Sequence, residues 1–311
     1  MWIWRLHGQT SREWATISEP YSCGEEVGVE MNKKIDTEKL TGVPETLLIA
    51  LYLRAAETQR VDSIIRDEKA VEIIQGIEYD FAKFDRVWAS QVGVAVRTEI
   101  LDEVTVTFMR QYPDASVVNL GAGLCTRFNR VDNGSITWYE MDLPEATQLR
   151  RQFFTETDRH QFIDSSITDF RWMEQIKIKE NQPVLFIGEG LFMYFEEQEV
   201  KNIFIAMADH FTDAELIFEI NGPISVGRSK HHDALSKTDG QAEFKWGPAS
   251  GAVCETWDDR IRFVQEWNYL DRHGDRWRFM RLFAYIPPLK RHIMNKIVHL
   301  RFRKDGEVME K

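Results

Sequence analysis

Three short stretches carry residues whose types and order could do chemistry. The first is Gly121-Ala122-Gly123, directly after the apolar run Val117-Val118-Asn119-Leu120. Glycines there let the backbone turn sharply and approach a ligand that a Cβ would exclude. The second is Asp142, which closes the run Ile136-Thr137-Trp138-Tyr139-Glu140-Met141. A carboxylate in that place offers acceptors to both hydroxyls of a ribose. The third is Glu189-Gly190, after the buried-strand pattern Val184-Leu185-Phe186-Ile187-Gly188. A charge at the end of such a strand is costly unless it has a partner or a ligand. Strand, glycine turn, helix, strand, acid is the order of a nucleotide-cofactor half-site.

The glycine spacing narrows the choice of cofactor. A dinucleotide fingerprint has a third glycine, G-x-G-x-x-G, so that a helix N-terminus meets a pyrophosphate. Here the run is Gly121-Ala122-Gly123-Leu124-Cys125-Thr126-Arg127, without it. The turn therefore suits S-adenosylmethionine, which has no phosphate to cradle, and a nicotinamide dinucleotide is a distant alternative. An ordinary structural turn is the bland alternative, disfavoured by the acid-tipped second strand.

The elements that must position these residues alternate. After Asp142, Leu143-Pro144-Glu145-Ala146 starts a helix with proline in its first turn. Phe162-Ile163-Asp164 reads as a strand, and the loop Ser165 to Phe170 follows. Glu189 leads into a helix bearing Val200, Ile203 and Phe204, and Glu215 to Asn221 is the next strand. Such alternation predicts an α/β fold: a mostly parallel Rossmann-like sheet with helices on both faces and its ligand crevice at the strands' carboxyl ends. Ile261–Trp267 and Lys296–Phe302 alternate apolar and polar residues and predict a closing antiparallel pair.

Around this core the chain divides into further segments. Residues 1–30, with Trp2, Trp4 and Trp14 but no clean period, read as a poorly ordered upstream extension. Residues 31–112 read as a helical N-terminal cap, and 113–311 as the cofactor-binding core. Residues 222–260 break the pattern and read as an insertion acting as a substrate lid, with Phe244, Trp246 and Trp257 as an apolar wall. Simple packing of those aromatics is an equally good reading. His231-His232-Asp233 lacks flanking ligands for a metal and reads as a solvated loop. Arg54 and Arg97 read, taken alone, as arginines whose stems cover apolar surface. A guanidinium fork on a carboxylate is the functional alternative.

Composition sets outer limits. The formal net charge of −11 over 311 residues argues against nucleic acid as the partner. No apolar run approaches the ~20 residues of a membrane span, and the N-terminus lacks a signal-peptide core, so a cytoplasmic protein is expected. Cys23, Cys125 and Cys254 show no C-x-x-C spacing, so neither a metal site nor a disulfide framework is expected.

The blocks VVNLGAGLCTR, WYEMDLP and LFIGEGLFMYF, in that order, resemble the leucine carboxyl methyltransferase family. Within it the chain resembles the bacterial branch of tetracenomycin-pathway polyketide O-methyltransferases, over about residues 44–302. The resemblance implies a class I methyltransferase fold and S-adenosylmethionine as cofactor. It implies that Gly121, Ala122 and Gly123 line the cofactor turn, that Asp142 accepts from the ribose, and that Arg97, aided by Arg54, holds the methionyl carboxylate. Ser166 and Ile167 fall beside the adenine, Glu189 and Gly190 at the cofactor's amino group, and Tyr194 near the acceptor. The chain departs from the family pattern where Cys125 and Ser166 replace aspartates.

The expected function is therefore O-methylation of a small carboxylate or hydroxyl compound, polyketide-like or aromatic. A carboxylate is already deprotonated at neutral pH and requires no base. A hydroxyl would need one, with His210, His231 and His273 the candidates. The alternatives are methylation of a protein's C-terminal carboxylate and a non-catalytic cofactor-binding module.

Overall fold

The sheet forms where apolar runs are bounded by turn residues, and the helices form where that period lengthens. The computed structural model describes residues 35–36, 45–179, 181–229, 232–238 and 242–303. The extension expected at residues 1–30 lies outside them. Two short parallel strands, β1 (Ile35–Asp36) and β2 (Ile77–Glu78), pair with each other. The helical reading of residues 31–112 did not anticipate them. Helices α1 (Thr46–Thr58), α2 (Glu68–Gln75) and α3 (Trp88–Gln111) account for most of the remainder. Asp67 caps α2 by accepting from the Ala70 amide, and Pro113 follows α3 closely.

The main sheet has seven strands in the order β5-β4-β3-β6-β7-β9-β8. Its strands are β3 (Ser116–Leu120), β4 (Thr137–Asp142), β5 (His160–Asp164), β6 (Val184–Gly188), β7 (Glu215–Ile220), β8 (Ile261–Asn268) and β9 (Lys296–Phe302). β3 to β7 are mutually parallel, and β9 pairs antiparallel with β7 and β8, as the alternating pattern predicts. Every residue of β3 and β6 is buried, which explains the continuous apolar run of β6 and leaves Asn119 of β3 to bond Glu140 inside. Strand alternation sends Val118, Leu120 and Phe186 to one hydrophobic layer, and Val117, Leu185 and Ile187 to the other.

The connections are α4 (Arg127–Val131), α5 (Pro144–Arg150) with Pro144 in its first turn, α6 (Glu197–His210) and α7 (Pro287–Ile293). The Glu196 and Glu199 side chains cap α6 reciprocally. The chain order reverses at β3, whose neighbours are β4 and β6, so the crevice opens at the carboxyl ends of these strands. Among the described residues, no helix is long and apolar enough to cross a membrane.

Candidate functional site

The glycine turn, Asp142 and Glu189-Gly190 meet at that reversal, since β3, β4 and β6 are adjacent and parallel. Gly121 and Gly123 have φ values of +64° and +47°, a region that L side chains rarely adopt. A Cβ on Gly123 would also lie 2.5 Å from Leu47 of α1. Asp142 fastens the turn from β4: its Oδ2 accepts from the Gly123 amide at 2.7 Å, and Oδ1 from the Leu143 amide at 2.7 Å. Burial pushes its carboxyl above the usual range, against the pull of those amides and the charge of Arg150.

Behind the turn runs a line of alternating charges. Arg54 of α1 bonds Asp67, which also takes Arg130; Arg130 and Arg127 of α4 share Asp102 of α3. Arg127 then reaches Glu189 at 2.6 Å, Glu189 takes Arg97 at 2.8 Å, and Arg97 ends on Glu219 at 3.0 Å. Glu219 accepts further from the Gly190 amide, the Tyr269 hydroxyl and Asn295. Burial works against the charged form of Glu189, but Arg97, Arg127 and Arg54 outweigh it and hold the carboxyl well below the usual range.

Two cavities adjoin here. The smaller, about 120 Å³, is lined by Gly121 to Cys125 together with Arg54, Arg97, Glu189 and Gly190. The larger, about 570 Å³ and mostly apolar, is walled by α3, the β7 end, residues 224–228 and 232–235, and residues 277–280. Arg97, Gly190 and Tyr194 line both. Burial, helped by Glu219 and opposed by Arg97, pushes the Tyr194 phenol up to about 12. Tyr194 therefore stays protonated and can donate a hydrogen bond but not act as a base near neutral pH. The pH profile of turnover is expected to keep its shape between pH 7 and 10 in Tyr194→Phe. An inflection in that range present only in the unsubstituted protein would refute this.

The structure brings together Arg54, Arg97, Gly121, Ala122, Gly123, Asp142, Glu189, Gly190 and Tyr194 as expected. Both arginines sit inside: Arg54 is 3% exposed and donates to Asp67 and to the Leu124 carbonyl. Ser166 and Ile167 line neither cavity. Their loop joins the site through the Ser165 amide, which donates to the Asp142 carbonyl at 2.9 Å. The Ser166 hydroxyl pairs with Thr168, and the Ile167 side chain joins the core. Cys125 places its Sγ 3.5 Å from Arg127 Nη1, and Asp102 and Glu189 balance that guanidinium.

Sequence reasoning missed Arg127, Asp67, Asp102 and Glu219. Glu219 carried the same signal as Glu189, an acid inside a buried strand's apolar run. Two expectations need correction. Trp246 and Trp257 do not line the larger cavity; they pack on Phe218 and Phe204 in the core, and only Phe244 faces it. His232-Asp233 is not a free solvated loop: both residues line the larger cavity, and Asp233 accepts from the Ser90 amide and hydroxyl. His231 lies outside the described residues. His273 is held by Glu99, and His210 lines a separate cavity beside Pro183.

The family model described as leucine carboxyl methyltransferase matches residues 47–208. The chain is similar to the tetracenomycin polyketide synthesis O-methyltransferase TcmP of Streptomyces glaucescens, 30% identical over 237 residues, covering 76% of this chain and 86% of that protein. It is also similar to the S-adenosyl-L-methionine-dependent methyltransferase dpfgK of Gibberella zeae, 28% identical over 204 residues, covering 60% and 68%. Its fold is similar to that of a DUF574-family protein of Streptomyces avermitilis, with a TM-score of 0.55 and 11% identity, covering 83% and 97%. The residues from α1 through α6, with the glycine turn and both acid-tipped strands among them, thus place this chain in the leucine carboxyl methyltransferase family.

Proposed function

We propose that this protein is an S-adenosylmethionine-dependent O-methyltransferase acting on a small apolar, aromatic or polyketide-like acceptor with a carboxylate or hydroxyl. The observation that carries the reading is the shared wall of the two cavities at Arg97, Gly190 and Tyr194. A cofactor in the smaller cavity and an acceptor in the larger would meet there.

The residues present fit that cofactor. Its amino-acid end carries both charges, and the smaller cavity presents Arg54 and Arg97 for a carboxylate and Glu189 for an ammonium. Asp142 spends one lone-pair site of each oxygen on the turn and keeps capacity for a ribose. When bound, S-adenosylmethionine supplies an electrophilic methyl on a sulfonium. This chain then contributes alignment and exclusion of water, which account for most of the acceleration in a displacement of this kind. Residues 31–112 would act as a cap over the cofactor, and residues 222–260 as a wall of the acceptor chamber. The similarity to TcmP, a methyltransferase of polyketide synthesis, and the mostly apolar lining of the larger cavity support the acceptor class.

Calorimetric titration with S-adenosylmethionine, and with NAD alongside, tests this. Micromolar binding of the first and none of the second is expected. Binding of NAD alone would overturn the reading, and binding of neither would favour a non-catalytic module.

A further inference from the structure

The surface beside the larger cavity differs from the rest of the chain in both charge and polarity. From Arg276 to Lys296 there are six Lys or Arg and no Asp or Glu, in a chain of net charge −11. Arg276 is held by Glu57, Lys290 by Asp271, and Lys296 is buried. Arg278 is exposed and lies over the Trp88 ring, 4.7 Å from its centroid. Arg281 and Arg291 are exposed and have no carboxylate partner among the described residues.

The apolar residues there follow a period that explains their exposure. Arg278–Tyr285 is a 3₁₀ helix, in which side chains three residues apart eclipse one another. Its inward row, Met280 and Phe283, packs on the core. The second row is Phe279, Leu282 and Tyr285, which are 65%, 59% and 82% exposed, and the third begins with Arg278 and Arg281. Helix α7 packs beside it and adds Leu289 and Arg291, both exposed. Neither element has a fully buried residue. Ile224 and Phe279 are exposed and also line the larger cavity, so the patch reaches its rim.

Three large apolar side chains standing out in water, flanked by unpaired cations, suit a partner that supplies apolar and anionic groups together. A bilayer with anionic headgroups does so, its phosphates lying directly above the acyl chains. A second copy does not, because a two-fold contact would set Arg281 and Arg291 against their own counterparts. An acidic protein surface would match the cations but not the apolar row.

We propose that the face formed by the 3₁₀ helix Arg278–Tyr285 and α7 docks on an anionic membrane surface. Phe279, Leu282 and Tyr285 seat at the boundary of headgroups and acyl chains, with Arg278, Arg281 and Arg291 at the phosphates. The protein lies on the bilayer without crossing it. The rim of the larger cavity then faces the lipid, from which an apolar acceptor would enter. That purpose rests on the proposed function, whereas the contact itself needs neither cofactor nor acceptor.

Co-sedimentation of the full chain with vesicles tests this. Vesicles of equal parts phosphatidylglycerol and phosphatidylcholine are expected to bind about 10-fold tighter than phosphatidylcholine alone, and high salt should remove most of that difference. Arg281→Glu and Arg291→Glu should each weaken binding to the anionic vesicles about 10-fold. Leu282→Ser combined with Tyr285→Ser should weaken it about 10-fold as well, with the melting temperature unchanged because both side chains are exposed. Arg110→Glu alters an exposed arginine at the opposite end of α3 from Trp88 and makes the same charge change, yet should alter binding less than about 2-fold. No binding to anionic vesicles, equal binding to both vesicle types, or equal losses in Arg281→Glu and Arg110→Glu would overturn the proposal. So would a protein inert to vesicles that is dimeric until Leu282 and Tyr285 are replaced, or that is retained by polyglutamate; these results assign the face to a second copy or to an acidic protein. Absence of S-adenosylmethionine binding with vesicle binding intact would count against the methyltransferase reading alone.

Discussion

Replacing Glu189 with glutamine is expected to lower the melting temperature by about 10 °C and to abolish measurable S-adenosylmethionine binding. Among the described residues, Glu189 is the carboxylate that joins Arg127, which is fully buried, to Arg97. Glutamine has the same shape, but its amide nitrogen must face one of the two guanidinium groups donor to donor. Breaking a buried pair from one side costs about 3–5 kcal/mol where the partner's charge is left uncompensated. Arg127 keeps Asp102 and Arg97 keeps Glu219, so the loss falls at the lower end of that range. For a domain of this size that corresponds to roughly 2–4 °C per kcal/mol. Loss of cofactor binding follows separately from the proposed function, in which Glu189 of the smaller cavity takes the cofactor's ammonium group. Thermal unfolding and calorimetry on the same sample check both parts; a shift under about 3 °C with retained affinity would refute the account. The pH dependence has a definite sign. The folded carboxyl titrates well below the ordinary value of about 4.3. Its stabilising contribution is therefore complete above that pH and fades only as pH falls further, through the folded value.

Asp142→Ala should weaken S-adenosylmethionine at least 100-fold and also lower stability. The substitution removes the acceptor for the Gly123 and Leu143 amides, each orphaned at a cost of about 1–3 kcal/mol. It also removes the acceptor proposed for the ribose, where charge-assisted bonds are worth about 1.5–3 kcal/mol each. About 3 kcal/mol lost from binding is roughly a 100-fold change. Asp142→Asn keeps one amide acceptor and should fall between. If alanine changed the affinity less than about 5-fold, Asp142 would be a turn fastener and nothing more.

The central fold was legible because its signals are local. An apolar run, a glycine pair and an acid at a strand tip are readable side by side in Ser116 to Asp142, and again at Val184 to Gly190. The closing antiparallel pair declared itself by alternation in Ile261–Asn268 and Lys296–Phe302. What stayed hidden depends on contacts between distant parts of the chain. Asp67 and Asp102 look like ordinary helical acids until α2, α3 and α4 converge on Arg130. Asp233 looks solvated until α3 brings Ser90 to it, 143 residues away in sequence. The inner tryptophans of residues 222–260 gave no cue that Trp246 would stack on Phe218 rather than face a ligand.

The line of charges behind the glycine turn also has a consequence for inheritance. Arg54, Asp67, Arg130, Asp102, Arg127, Glu189, Arg97 and Glu219 alternate in sign from one end to the other, so each interior member answers to two neighbours. Replacing an interior member takes one of two partners from each neighbour, and a second, matching change is expected to relieve part of that loss. The eight positions are thus expected to behave epistatically, drifting in opposite-charge pairs or not at all. The apolar residues of the chamber beside them, unlike Arg97 and Glu219, which also line it, can change one at a time.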